Sequence, residues 1–445
     1  MPVPITPNLC AWTTIQSGLI TPHVRGTFGV AKTSSVYAFC KAMDRVPYVL
    51  LGSLREPADI GGYPYPVKTA KVKVTKEKMI EQGFPEEVSS DADVFMRLVN
   101  PEWAHRMRDG RKHLLFLDEI RDVPCQVQSA LLRIIMDKVV GEDPLPDDTW
   151  MMAASNPTSI STNGQEIALP LANRMPQFDW EMAWNDWDQG MNHGVSPDGD
   201  GRLRWHFPEP SFVHLPDDWW KKTSRWGMLA TSFRSKGGWN QHFVTEEEDI
   251  LRDRERFTGG AAPSPRAWSN LSICLASLEA IDADPILFRK AAISCIGENA
   301  AGTFFDWLKA LDLPDPDLVI EIAAKRPDLD FSELLGAAME AEEKQKPAAH
   351  RQSGRQVPHR ADQIMAVLGG VNGAIAEKNS KQRCEAALSV YHKAFQAGHR
   401  EQMIYRIKDL MAAQSALKKS GVACTFPKGF VDDVYPVLVK AGWSR

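Results

Sequence analysis

Several features that define whole classes of protein are missing from this sequence. Its 445 residues include only seven cysteines, an odd number, and none of them forms a C-x-x-C pair. The pattern argues against a disulfide framework and a zinc site, and it suits a reducing compartment. No apolar run approaches the roughly 18 to 20 residues that span a bilayer, and MPVPITPNLCAW lacks the basic and apolar parts of a secretion signal. We therefore expect a cytoplasmic protein without a membrane partner.

A strong charge of either sign is also missing. The 52 lysines and arginines nearly balance 57 aspartates and glutamates, for a formal net charge of -5. This balance argues against nucleic acid as a partner, although a local basic groove stays open as an alternative. The eleven histidines show no ligand spacing, so no metal site made by the protein alone is predicted. A hydrophobic share of 43% is enough for the cores of two or three domains.

What the sequence does contain is an alternation of strand and helix patterns up to about residue 180. Short apolar runs predict strands within 47–54, 113–120 and 149–157. Apolar residues at helical spacing predict a helix in KTSSVYAFCKAM, and another from Pro124 to Gly141. Strands that alternate with helices predict an α/β fold with a mostly parallel sheet covered on both faces.

The segment VRGTFGVAKTSS, residues 24–35, nearly matches the phosphate-binding loop G-x-x-x-x-G-K-[ST]. In such a loop the backbone N–H groups and the following helix N-terminus bind phosphate, the lysine reaches the β- and γ-phosphates, and the next hydroxyl binds magnesium. The predicted loop residues are Gly26, Thr27, Phe28, Gly29, Val30, Ala31, Lys32, Thr33 and Ser34. Ala31 replaces the second glycine. We expect the alanine to be tolerated if its φ is below zero, as it is at the entry to a helix, and if its methyl group points away from the phosphates. The alternative is a glycine-rich turn with a solvated lysine.

Polar residues follow two of the predicted strands. LLFLDEI carries Asp118 and Glu119 to the end of a buried strand, where ligands bind in open α/β sheets. Asp118 is a candidate for holding magnesium, and Glu119 for polarising an attacking water. AASNP presents Asn156 at the end of the next strand, within reach of a γ-phosphate. A strand that ends in a solvated turn, and a turn-forming asparagine before proline, are the structural alternatives.

These motifs, with the later SPRAWSNL, resemble AAA+ ATPases of the MoxR type, including the RavA-like branch, over residues 11 to 340. FLDEIRDVPCQVQSALLRIIMDKVV is the most specific match, and REPADIGGYPYP (55–66) resembles a further segment of the family. An A-K-[ST] ending of the loop also occurs in that family. The resemblance implies an AAA+ P-loop core with a helical lid, ATP and Mg²⁺ as cofactors, and Asn156 as first sensor. It also implies Arg266 as second sensor, and Arg174 as an arginine that acts on a neighbouring subunit or braces its own.

What the resemblance implies for assembly is a homo-oligomer, a hexameric ring that remodels or matures a client protein, with a von Willebrand factor A type protein as expected partner. The sequence does not identify the client. Two other readings stay open: a nucleotide-gated scaffold with little or no turnover, and a DNA-associated AAA+ motor.

Composition shifts along the chain predict its domains. Residues 1–258 are expected to form the nucleotide-binding domain, with a Trp-rich insertion at 181–258 in which Trp219 and Trp220 serve as packing anchors. A helical lid is expected at 259–343, a polar linker at 344–360 and a C-terminal helical partner-binding segment at 361–445. The alternating lysines of VKTAKVKVTKEK, residues 67–78, predict an edge hairpin, since lysines on an edge strand oppose aggregation. A pore loop or a nucleic-acid contact is the alternative.

Overall fold

The structure is a computed structural model that describes residues 8–68, 94–157, 160, 167–197, 203–205, 210–234, 261–346 and 354–440. Its strands are β1 (His23–Arg25), β2 (Val46–Leu51), β3 (Tyr63–Lys68), β4 (Val94–Val99), β5 (His113–Asp118), β6 (Val139–Val140), β7 (Asp143–Pro144), β8 (Trp150–Ser155), β9 (Gln177–Asp179), β10 (Val195–Pro197) and β11 (Leu203–Trp205). A five-stranded sheet has the order β2-β5-β8-β1-β9, and antiparallel ribbons pair β3 with β4, β6 with β7 and β10 with β11.

The centre of the sheet is parallel and buried. Strand β5 pairs with β2 from Val46↔His113 to Leu51↔Asp118, and with β8 from Leu114↔Trp150 onward. The apolar residues 114–117 are all buried, as expected for a strand covered on both faces. The polar residues that end β5 and β8 therefore share one edge of the sheet. The short β1 follows Pro22, which lacks the N–H that a central strand donates.

Helices flank this sheet and then dominate the rest of the chain. They are α1 (Leu9–Gln16), α2 (Lys32–Ala42), α3 (Pro57–Gly61), α4 (Glu102–Arg106), α5 (Cys125–Asp137), α6 (Leu169–Ala172), α7 (Trp184–His193), α8 (Thr223–Arg234), α9 (Pro265–Ala280), α10 (Pro285–Ile296), α11 (Glu298–Leu311), α12 (Pro316–Lys325), α13 (Phe331–Gln345), α14 (Ala361–Glu377), α15 (Lys381–Gln396), α16 (Arg400–Lys419) and α17 (Phe430–Lys440). Short 3₁₀ turns span Gly52–Leu54 and Trp219–Lys222. The predicted α/β fold with a helical region after it is confirmed.

One predicted helix end is wrong. Helix α5 stops at Asp137 because Lys138 adopts a left-handed conformation, with φ 53°. The expected end, Gly141, lies four residues further on in the turn between β6 and β7, with φ 61°. A positive φ favours glycine, and a Cβ there would also meet Asn100 Oδ1 at 2.4 Å, so this glycine suits the turn of the ribbon and does not cap the helix.

The chain divides into two compact units. The core unit comprises residues 24–174 and 186–210, and the helical unit comprises 1–23, 175–185 and 211–445. This partition differs from the predicted boundary after residue 258, because α1 and α8 pack with α9 inside the helical unit. The Trp-rich stretch is shared between the units, and its residues 235–258 lie outside the described part of the chain. Trp219 is buried as predicted, whereas Trp220 is 56% exposed and does not anchor the fold.

In the helical unit, helices on both sides of the predicted linker share one hydrophobic core. Val319 of α12 and Leu334 of α13 belong to the same buried cluster as Ile364 of α14, Leu388 of α15 and Met403 of α16. Helix α14 is buried from 363 to 375 and lies at the centre of this cluster. The predicted lid and C-terminal segments are thus joined by packing.

The later part of the predicted linker is held by a buried arginine. Arg355 has a side chain only 8% exposed, and its guanidinium pairs with Asp312 at 2.8 Å and with Glu342 and Glu343 at 3.1 Å. Residues 354–360 are therefore tied to the ends of α11 and α13. Residues 347–353 lie outside the described part of the chain.

Two predictions remain, one on the lysine-rich segment and one on helices that could span a membrane. Of the lysine-rich segment 67–78, the structure describes only its first two residues, at the end of β3, so the predicted edge hairpin lies largely outside the described residues. Within the described residues, no helix is long and apolar enough to cross a membrane.

Candidate phosphate and magnesium site

The loop predicted to bind phosphate connects β1 to α2 in the core unit. Gly26 at its start is buried, and its N–H donates to Ser155 O at the end of β8, at 3.2 Å. Phe28 at its tip is 77% exposed, and Gly29 adopts φ 75°, which favours glycine. The loop thus leaves the buried sheet, turns at Gly29 and re-enters as the first turn of α2. Backbone N–H groups at such a helix N-terminus are suited to binding an anion.

Ala31 has the opposite backbone conformation to the one expected. It is the N-cap residue of α2, with φ 60° and ψ 26°, so the prediction of a negative φ is wrong. An L-residue in this left-handed region costs roughly 1–2 kcal/mol, because its Cβ approaches the following carbonyl oxygen. The loop therefore holds Ala31 in a conformation that glycine adopts more readily, at a cost in backbone strain.

Lys32 is the first residue of α2, and its ammonium group is turned toward the loop. Its Nζ donates to Gly26 O at 2.6 Å, to Thr27 O at 2.9 Å and to Asn156 Oδ1 at 3.1 Å. A lysine ammonium group has three protons to donate, and these three acceptors match that number. The structure thus brings together Lys32 and Asn156, which are 124 positions apart in the chain.

Thr33 and Asp118 form the second contact between the loop and the acidic strand. The Thr33 hydroxyl donates to Asp118 Oδ2 at 3.0 Å. Adjacent ligands of an octahedral Mg²⁺ with metal–oxygen distances of 2.0–2.1 Å lie roughly 3 Å apart, so these two oxygens fit the ion. Among the described residues, no group of three or more His, Cys, Asp or Glu side chains could hold a metal ion. A magnesium that keeps waters and substrate phosphates needs only one or two protein ligands.

Glu119 sits beside Asp118 in an unusual backbone conformation. Its φ is 55°, and its N–H donates to Asp118 Oδ1 at 3.0 Å. Its carboxylate accepts a hydrogen bond from the Ser53 hydroxyl, in the turn after β2. Gly52 makes this approach possible, because a Cβ there would lie 2.6 Å from Val123 Cγ1 and 3.3 Å from Asp118 O. Strain in a residue with a candidate chemical role is a recurrent feature of functional sites.

Three residues of this site were not found from the sequence. Gly52 and Ser53 carry no motif signal, because a GSL turn after a strand is common. Arg121 is buried, and its Nη1 donates to Asn156 O at 3.2 Å. The one signal that could have indicated Arg121 is its position two residues after Glu119.

The two predicted arginines occupy different places. Arg174 follows α6 in the core unit, and its Nη1 donates to Pro170 O in its own turn. Arg266 is exposed in the first turn of α9 in the helical unit, where the Ser264 hydroxyl caps the helix by accepting from Ala267 N at 3.2 Å. Their roles toward a nucleotide stay predictions.

Burial sets the electrostatics of the loop and the acidic strand. Burial lowers the pKa of Lys32 below its usual value, while the Asp118 and Glu119 carboxylates oppose that shift. Burial raises the pKa of Asp118, while hydrogen bonds from Thr33 and from the Glu119 N–H oppose it. Both charged forms are therefore partly desolvated. A polyanion beside the lysine and a divalent cation beside the carboxylate would each favour the charged form.

Comparisons with known proteins do not identify a family for this chain. A scan against models of protein families finds no match, and a search of curated proteins finds none either. Among solved structures, the chain is similar to a protein from Cytophaga hutchinsonii described as a putative ATPase. The TM-score is 0.38 and the identity 16%, with 64% of this chain and 79% of that chain covered. A likeness at this level carries no argument about the site.

Proposed function

We propose that this chain binds ATP with Mg²⁺ and hydrolyses it. The observation that supports this most directly is the convergence of four side chains from three segments at one sheet edge. Lys32 contacts Asn156, and Thr33 contacts Asp118. A lysine and a hydroxyl at a helix N-terminus, facing a carboxylate and an amide, are the groups that phosphoryl transfer from a nucleotide requires.

In the proposed reaction each group has a separate task. The first turn of α2 and Lys32 bind the β- and γ-phosphates, while Thr33 and Asp118 hold Mg²⁺. The bound magnesium ion would offset the negative charge that develops on the phosphate oxygens. Glu119 would orient the attacking water and accept its proton while the water oxygen bonds to the γ-phosphorus and the bond from the γ-phosphorus to the β,γ-bridging oxygen breaks, which releases ADP. For this step the Glu119 carboxylate would leave the Ser53 hydroxyl and contact the water. The Asn156 side chain would lose its hydrogen bond from Lys32 and bind the γ-phosphate or the water instead.

The finer part of the proposal is that the chain acts as a MoxR-type AAA+ ATPase in a ring, most simply a hexamer, that remodels a client protein. The motif order from 24 to 174, with Arg266 later, supports this class. In a ring, Arg174 would act on the nucleotide of the neighbouring subunit. By analogy with GTPases such an arginine contributes roughly 10³ to 10⁵ in rate, so an isolated subunit should turn over slowly.

The test is ATP turnover per subunit as a function of protein concentration, for the wild type and Glu119→Gln in parallel. We expect turnover that rises with concentration in the wild type and is lost in Glu119→Gln, which should still bind ATP. Lys32→Ala should bind ATP at least tenfold more weakly, because the loop loses its charged donor. Normal ATP binding by Lys32→Ala would refute the assignment of the loop.

One observation favours a second candidate, a nucleotide-gated scaffold with little turnover. Ala31 places a methyl group at a left-handed position where the loop motif has glycine. In that case ATP binding would change the oligomeric state, measured by light scattering, while the wild type and Glu119→Gln would show the same negligible turnover.

A further inference from the structure

We propose that Arg121 is a positioning residue for Asn156, and that it acts on ATP turnover through that asparagine. The proposal rests on the ATPase function proposed above. Arg121 is only 3% exposed and lies two residues after Glu119. Its Nη1 donates to the main-chain carbonyl of Asn156 at 3.2 Å.

The end of β8 shows why this contact matters. The N–H of Ile120 donates to Ala154 O at 3.1 Å, and the N–H of Gly26 donates to Ser155 O at 3.2 Å. These main-chain bonds hold Ala154 and Ser155, the two residues directly before Asn156. The Arg121 guanidinium reaches that next carbonyl, so it fixes the peptide that carries the amide touching Lys32.

Fixing this peptide has a use in catalysis. On ATP binding, Lys32 must leave the amide oxygen of Asn156 for the phosphates, and the amide must then meet the γ-phosphate or the water. A main chain anchored from behind keeps the amide in place during this exchange, and small displacements of positioning groups are costly in rate. We therefore expect the rate of the bound complex to depend on Arg121 more than the affinity for ATP does.

Loss of the Arg121 contact should lower kcat by roughly 10- to 100-fold, the usual effect of losing one hydrogen bond from a charged donor. Arg121→Met removes the guanidinium while it fills similar space. Arg121→Lys keeps a cation and a donor and should recover part of kcat. The dissociation constant for ATP should change by less than about threefold in both variants, because Lys32 and the loop are retained.

The decisive experiment is a double-mutant cycle of Arg121→Met and Asn156→Ala, with kcat, ATP affinity and melting temperature measured for each variant. If Arg121 acts through Asn156, the double variant turns over no more slowly than Asn156→Ala alone. Losses in kcat that multiply would overturn the proposal, since Arg121 would then act independently. A drop in melting temperature with unchanged kcat would overturn it too, since the role would be structural only.

Failure of the proposed function is distinguishable from failure of this inference. Equal turnover in the wild type and Glu119→Gln would refute hydrolysis, whatever the cycle shows. That outcome also overturns the role of Arg121, because the proposed role is an effect on kcat. If only Glu119→Gln loses turnover, losses of kcat that multiply in the double variant overturn the role of Arg121 and leave the proposed hydrolysis standing.

Discussion

The Thr33 hydroxyl lies 3.0 Å from a carboxylate oxygen of Asp118, although 85 positions separate the two residues. Substitution of Thr33 by Val keeps the shape and removes the hydroxyl, so we expect a loss of ligands for Mg²⁺. Turnover should fall at least tenfold and require more magnesium, as measured by a magnesium titration at fixed ATP. Thr33→Ser keeps the hydroxyl and is the matched control. Equal magnesium dependence of Thr33→Val and the wild type would contradict the site.

Ser53 is expected to position the carboxylate of Glu119. Ser53→Ala removes the donor and leaves Glu119 freer, which should lower kcat by roughly 2- to 10-fold, the equivalent of one hydrogen bond. ATP affinity should stay unchanged, because Ser53 contacts no phosphate-binding group of the loop in the structure. Steady-state kinetics will separate the two parameters, with Ser53→Thr as control. An increase in KM with unchanged kcat would show that the assignment is wrong.

Gly52 and Gly61 offer a matched pair of glycine substitutions. A Cβ at Gly52 would lie 2.6 Å from Val123 Cγ1, whereas at Gly61 nothing lies within 4 Å. Gly52→Ala should lower the free energy of unfolding by about 1–3 kcal/mol and slow turnover, because Val123 or the end of β2 must move. Gly61→Ala should be near neutral in both measurements. Similar denaturation curves for the two variants would contradict this account.

Ala31→Gly tests the strain in the loop. Glycine adopts φ 60° without a Cβ clash, so the free energy of unfolding should rise by up to about 1 kcal/mol after the entropy of glycine is subtracted. Ala31→Val should lower it, since a β-branched residue is a poor fit to this region. Chemical denaturation measures both. A less stable Ala31→Gly variant would mean that the methyl group makes favourable contacts.

Arg355 should contribute more to stability than an exposed arginine. Arg355→Met leaves three carboxylates without their shared partner and should lower the free energy of unfolding by about 2 kcal/mol, since the carboxylates are partly exposed. Arg326 pairs with Asp328 at the surface, and Arg326→Met should have little effect. Equal melting temperatures for the two variants would show that the linker is not held by this cluster.

The sequence predicted those elements whose pattern lies within a single segment. The buried run 114–117 and the apolar spacing in α2 predicted their elements because burial on both faces and helical periodicity leave local patterns. Ser53 and Arg121 were missed because their roles arise from contacts with Glu119 and Asn156 in other segments. The conformation of Ala31 was predicted wrongly because the preceding loop, and not the helix it caps, sets its φ.

The three hydrogen bonds that Lys32 already makes affect which ligands the loop can bind. A phosphate group that enters the loop must compete with Gly26 O, Thr27 O and the amide of Asn156 for the same ammonium protons. A single phosphate places all its oxygens at one point of the loop, whereas a triphosphate can contact Lys32 and the helix N-terminus at once. All three ammonium protons of Lys32 are thus already donated within the protein. The affinity of the loop should therefore rise steeply from a nucleoside monophosphate to the triphosphate.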